Sequence, residues 1–327
     1  MNSGKFTIVY IGRDNNIHDQ RFVRALSEIF EIREIYTNNL KSLPAEVGIF
    51  SNASLVLAGP LTDAISAIPL EVSVPILGIS HAFDLNIEFS NFPIVANIDR
   101  CKAIFSDCKY ITSILRDIYG FERDIYEIPW GCDRDYFSKA KIKFSKKPQI
   151  LVTRNWYNTY RNDVIISALE SLNQRNMEFE CTFIGDGPLL ENQIQNLYSN
   201  SKLPNVRFLK RQEKNEIRDA MSKNWMYISA ASSDGTSISL LEAMAAGMIC
   251  ITTDFPSNCE WIENAISGFI FRNGDTKALA ALIQEVSSLS LEEKASISRT
   301  AKEIVARKGD LRNNQKAFMS RVSSNVQ

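Results

Sequence analysis

An apolar strand from Trp225 to Ser229 runs into a small polar loop, a helix and a second apolar strand with almost nothing between them. The loop holds Asp234 and Gly235. Thr236 and Ser237, both good N-cap residues, open the helix. Ile238, Leu241 and Ala245 keep helical spacing, Gly247 stops the helix, and the strand Met248 to Thr253 follows at once. Strand, helix and strand in such short order predict an α/β chain with a parallel, doubly wound sheet.

The junction between loop and helix is the chemically loaded point. The backbone N–H groups of Thr236, Ser237 and Ile238 and the positive end of the helix dipole face one space, an anion site matched to a phosphate or diphosphate. Glu242 lies further along the same helix. Pointed at a phosphate it would repel it, whereas it is suited to accept two hydrogen bonds from a diol such as a ribose. Asp234 and Glu242 could then hold two ends of a nucleotide-sugar. The same residues also admit a plain use, Asp234 as a helix cap and Glu242 in a lysine pair.

The alternation extends along the chain. Phe6 to Ile11, closed by Gly12, reads as a buried first strand, and further strands are expected at Ile32–Tyr36, Ser54–Gly59, Val74–Ser80, Cys101–Ser106 and Asp124–Ile128. A helix is expected over Lys109–Tyr119. Ser138 to Lys147, with five lysines, reads as a solvated linker. The pattern restarts at Gln149–Thr153 and continues through the helix Val164–Leu172. The strand Phe179–Ile184, the turn Gly185-Asp186-Gly187-Pro188, the strand Val206–Leu209 and the helix Glu216–Met221 come next. Leu291 to Val326 is helical. The expected domains are residues 1–137 and 148–309, with the tail from about 310 to 327 crossing back onto the first.

Length and composition agree with this. A chain of 327 residues allows two domains of ordinary size, and a net charge of -1 makes no case for nucleic acid. Six scattered cysteines without a C-x-x-C pair suggest neither a zinc site nor a disulfide framework, and so a reducing, cytoplasmic setting. The start of the chain carries no signal-peptide apolar region, and no apolar run approaches the ~20 residues of a membrane span.

Asp234-x7-Glu242 followed by Ala-Met-Ala-Ala-Gly resembles the E-x7-E signature of retaining glycosyltransferases of family four, with Asp in place of the first Glu. Gly185-x-Gly187-Pro188 is similar to that family's Gly-x-Gly-Pro turn. Pro129-x-Gly131-x-Asp133-x3-Phe137 is similar to the segment leaving its first domain, and His81-Ala82-x-Asp84 to its strand-end His-Gly-x-Asp. The resemblance implies a GT-B fold, two Rossmann-like doubly wound parallel-sheet domains facing a cleft. It implies that Glu242 binds the donor ribose, that Asp234 approaches the donor sugar, and that the turn from Gly235 through Thr236, Ser237 and Ile238 gives N–H groups to the diphosphate. Arg154 and Arg161, after the strand that restarts the pattern, would stabilise the charge of the leaving diphosphate without a metal. His81 would bond a sugar hydroxyl, the loop after Gly12 would face donor sugar and acceptor, and Lys210 and Arg211 would lie where backbone meets the nucleotide base.

The implied activity is sugar transfer, with retention, from a nucleoside-diphosphate sugar to an acceptor hydroxyl. No cofactor or metal is implied. The implied partners are that donor and a glycan or lipid-linked acceptor, with peripheral contact at the inner face of the membrane. Two other readings share the fold: a sugar-nucleotide epimerase, which needs no acceptor, and a non-catalytic binding subunit.

Overall fold

Short apolar runs such as Thr7–Gly12, Leu55–Ala58 and Ile249–Thr253 are buried along their whole length, as strands of a parallel sheet covered on both faces must be. A computed structural model describes residues 6–12, 17–36, 47–81, 85, 95, 97–191 and 203–326. The chain divides into two compact units, residues 1–130 with 312–327, and residues 131–311.

The first unit holds β1 (Thr7–Gly12), β2 (Glu31–Tyr36), β3 (Leu55–Ala58), β4 (Ile76–Ile79), β5 (Cys101–Ser106) and β6 (Asp124–Glu127). They form one sheet in the order β2-β1-β3-β4-β5-β6, with every pairing parallel. Helices Ile17–Leu26, Leu61–Ala67 and Lys109–Asp117 connect them. The C-terminal helix Leu311–Val326 supplies Phe318, whose ring lies 4.9 Å from Phe22 and 4.4 Å from Phe105. Asn314 and Gln315 donate to the carbonyls of Pro129 and Arg21, at 2.9 and 3.0 Å.

The second unit holds β7 (Gln149–Val152), β8 (Glu180–Ile184), β9 (Val206–Leu209), β10 (Met226–Ser229), β11 (Ile249–Thr253) and β12 (Phe269–Phe271). Their order is β12-β11-β10-β7-β8-β9, again parallel throughout. Val164, Leu169 and Leu172 of helix Asn162–Gln174 pack with Leu279 and Ile283 of helix Thr276–Ser288 against Ile150 and Ile228. In a second cluster, Leu240 and Met244 of helix Ile238–Ala246 pack with Ala301 and Val305 of helix Leu291–Lys308 against Leu151, Tyr227 and Cys250.

Two boundaries differ from expectation. The first unit ends at Trp130 rather than 137, because Cys132 and Phe137 are buried in the second unit beside Tyr227 and Leu240. The lysine-rich stretch 138–147 is part of the second unit and not a linker. Ala140, Ile142 and Phe144 pack on its core, while Lys139, Lys141 and Lys143 between them are exposed. The tail is two helices, broken at Gly309 and Asp310. Among the described residues no helix is long and apolar enough to cross a membrane.

Candidate active site at the switch point of the second sheet

β7 and β10 are neighbours, yet the chain goes from β7 to β8 on one side and from β10 to β11 on the other. Loops leaving such a pair part from each other, and open α/β sheets bind ligands in the crevice so formed. Here the loop after β7 carries Arg154 and the loop after β10 carries Asp234. The two loops are stitched together by Ser232, whose N–H and hydroxyl both donate to the Thr159 carbonyl, at 2.8 and 3.1 Å.

Arg154 is only 7% exposed. Its Nη2 donates to Asp234 Oδ2 at 2.7 Å, and its Nη1 to the hydroxyls of Ser237 at 2.8 Å and Ser239 at 2.9 Å. The ring of Tyr160 lies 4.0 Å from the guanidinium carbon, a cation–π contact. Burial alone would disfavour the charge. Asp234, aided by Tyr160 and Tyr227, outweighs it and holds the Arg154 pKa above its ordinary value. The pair is therefore charged. Removing one member of such a buried pair strands the other, at about 3–5 kcal/mol.

Asp234 is thus neither a helix cap nor a free carboxylate. Its Oδ1 accepts the N–H of Gly235 at 3.1 Å, and its carbonyl accepts the Ser257 hydroxyl at 3.0 Å. Ser237 is the N-cap of helix Ile238–Ala246 by backbone geometry, but its side chain makes no capping bond and receives Arg154 instead. The first turn of that helix therefore has no side-chain cap from Ser237. Glu242 lies one turn further along, half-buried on the same helix.

The glycines of the turn after β8 are packed tightly against backbone. A Cβ at Gly187 would lie 2.5 Å from the Trp156 carbonyl oxygen, and one at Gly185 would lie 2.8 Å from that of Arg154. Their bareness lets this turn press on the loop that carries Arg154. The contact is closed by Trp156 N–H donating to the Asp186 carbonyl at 2.9 Å, and by Asp186 N–H donating to Asn155 Oδ1 at 3.2 Å. Gly185 and Gly187, which the resemblance places at the donor, thus also position the arginine loop.

The other expected residues are not drawn into this cluster. Arg161, at φ +46°, turns its guanidinium to Asp163 at 3.2 Å on the surface. Lys210 and Arg211 are exposed, and the Arg211 N–H donates to Asp186 Oδ2 at 3.2 Å. His81, in the first unit, is 2% exposed and its ring stacks on Trp130 at 5.1 Å. Gly12 ends β1 beneath the ring of Tyr10. Ala82 and Asp84 lie outside the described residues.

The sequence also contains an Asp-x-Asp, Asp133-Arg134-Asp135, that the expectation of a metal-free site overlooked. Both acids are engaged: Asp133 caps the turn at Tyr136 and meets Lys214 at 2.7 Å, and Asp135 accepts from Arg134 at 3.0 Å. Among the described residues no three His, Cys, Asp or Glu side chains are grouped to hold a metal ion. Sequence reasoning missed Tyr160, Tyr227 and Ser239. The hydroxyl inside the Asp234–Glu242 motif was the available signal for Ser239; the two tyrosines had none.

Two doubly wound parallel sheets, the second with an arginine–aspartate pair at its switch point, define a two-domain α/β protein. Residues 133–304 match the family described as glycosyl transferases group 1, more than half of the chain, and the chain belongs to that family. It is 30% identical over 131 residues to the amylovoran biosynthesis glycosyltransferase AmsK of Erwinia amylovora; the match takes in 38% of this chain and 32% of that protein. The chain thus spans about a third of the length of this curated relative. Among solved structures, a glycosyltransferase from Rickettsia africae superposes with a TM-score of 0.78 at 17% identity over 99% of both chains. Anabaena Alr3699/HepE, solved with UDP, does so with a TM-score of 0.77 at 13% identity over 98% of this chain and 100% of its own. The fold is GT-B.

Proposed function

We propose that this protein transfers a sugar, with retention of configuration, from a nucleoside-diphosphate sugar to an acceptor hydroxyl. The observation that carries the reading is the buried Arg154–Asp234 pair beside the uncapped first turn of helix Ile238–Ala246. In this reading the diphosphate lies against the N–H groups of Thr236 to Ile238 and against Arg154, and Glu242 holds the ribose. The base lies along Lys210 and Arg211. As the bond from the sugar's anomeric carbon to the diphosphate breaks, charge grows on the leaving oxygens, where Arg154 and the helix end stabilise it. The acceptor oxygen bonds the same face of the sugar and its proton passes to the departing phosphate, so no enzymic nucleophile is required. Arg161 would have to leave Asp163 to join, and His81 to act from a buried ring edge, so Arg154 carries the step.

The UDP-glucose complex of Anabaena HepE supports a nucleotide-sugar donor. The likeness to a glycosyltransferase of amylovoran biosynthesis supports a glycan acceptor; in this reading that acceptor, free or lipid-linked, is met at the inner face of the membrane. The test is incubation with UDP-, GDP- and ADP-sugars, with and without glycan acceptors, read by mass spectrometry and NMR. Transfer that needs an acceptor and keeps the anomeric configuration is expected. An altered sugar formed without acceptor would make the protein an epimerase, and nucleotide binding without turnover a binding subunit. In the same assay excess EDTA should leave transfer within about twofold, well under the tenfold that each 1.36 kcal/mol represents. Loss that magnesium reverses would overturn the metal-free step.

A further inference from the structure

We propose that Ser239, braced by Tyr227, is a positioning residue that fixes the guanidinium of Arg154 for an anionic ligand. The proposal rests on the reading that Arg154 meets a diphosphate. A serine in the first turn of a helix ordinarily turns its hydroxyl to nearby backbone or to water. Ser239 turns instead to side chains. Its oxygen accepts two hydrogen bonds from remote elements, from the Tyr227 hydroxyl of β10 at 2.9 Å and from Arg154 Nη1 of the β7 loop at 2.9 Å. Two acceptances use the whole acceptor capacity of a hydroxyl. Its own proton is then directed away from both, and the Ser237 oxygen lies 3.4 Å off.

Tyr227 is fully buried, and burial pushes its phenol above the ordinary value against the pull of Arg154, so it remains a donor. The brace is therefore one-directional: tyrosine holds serine, and serine holds arginine. Arg154 has a long stem whose immobilisation costs rotamer entropy. Its Nη2 is taken by Asp234, a group that an arriving anion would compete with for the guanidinium. Nη1, bound to the two serines, is then what keeps the guanidinium plane aimed, with Tyr160 against its face. A shift of 1 Å in such a group costs about a hundredfold in rate.

Calorimetry with inorganic pyrophosphate, on the full chain, tests this without reference to donor identity. Ser239→Ala should weaken pyrophosphate binding about tenfold, with a melt that stays cooperative and drops by only a few degrees. Ser239→Thr, which keeps the hydroxyl, should stay within about twofold of the parent, and Tyr227→Phe should fall between. In an Arg154→Ala background, Ser239→Ala should add nothing. Parent affinity in Ser239→Ala, or a further loss in the Arg154→Ala background, would overturn the proposal and leave the site reading standing. Parent affinity in Arg154→Ala, or no binding by the parent itself, would overturn the site reading and the proposal with it.

Discussion

A guanidinium this deeply buried needs partners, and Arg154 finds a carboxylate, two hydroxyls and an aromatic face for its Nη groups, while its buried Nε has no hydrogen-bond partner. Glu242 belongs to the same helix but to a different task. If it holds a ribose, Glu242→Ala should weaken binding of free UDP by about ten- to a hundredfold, the equivalent of roughly 1.5–3 kcal/mol for a lost charged hydrogen bond. Calorimetry checks this, and an unchanged affinity in a folded variant would remove Glu242 from the site. Arg154 and Asp234 were both legible in the sequence, one at a strand end and one in a motif. Their pairing was not, because 80 positions separate them and nothing local encodes a tertiary contact. Ser239 sat in view inside the motif. Its role escaped because a serine near a helix start has a sufficient local explanation.

At the scale of elements, the turn after β8 sets where Arg154 stands. An alanine at Gly187 would meet the Trp156 carbonyl at 2.5 Å and would need φ near +150°, which an L side chain rarely adopts. Strain of that kind costs about 1–3 kcal/mol, so Gly187→Ala should lower the melting temperature by roughly 2–12 °C for a unit of this size. It should also depress turnover more than the stability loss explains, since the loop it displaces carries the arginine. A melt and a rate measured on one preparation decide this, and parent values in both would refute the positioning role. Strands were the elements best read from sequence, because a run such as Leu55–Ala58 needs only apolar residues between turn signals. Helix Leu61–Ala67 was unread, since it starts at Pro60 with no side-chain cap and runs for seven residues. Helix Thr276–Ser288 had a readable start, Asp275 capping Ala278, that went unused. The stretch 138–147 misled through composition: its lysines alternate with Ala140, Ile142 and Phe144, the period-two signature of an extended segment packed on one side.

At the scale of the molecule, the first unit is built from both ends of the sequence, and its core is unfinished without Phe318 and Val322. Deleting residues 312–327 removes that phenylalanine from between Phe22 and Phe105, a loss of about 3–5 kcal/mol by itself against a typical stability of 5–15 kcal/mol. Limited proteolysis of the truncated chain should digest residues 1–130 and spare 131–311; equal resistance of both would refute it. Two α/β halves were evident from the doubled strand pattern, whereas their border was not, since the Pro129–Phe137 segment looks like an exit and only packing shows which core Cys132 and Phe137 enter. The second unit, by contrast, is one unbroken stretch whose two ends are backbone partners: Cys132 donates to Gly309 at 2.9 Å and accepts from Leu311 at 3.0 Å. A stretch that leaves the chain and re-enters it at a single point can be cut out, closed by a short splice, or traded for another without stretching what remains. Under the proposed function, such a cassette would let a lineage change the sugar nucleotide it reads by recombination in one exchange.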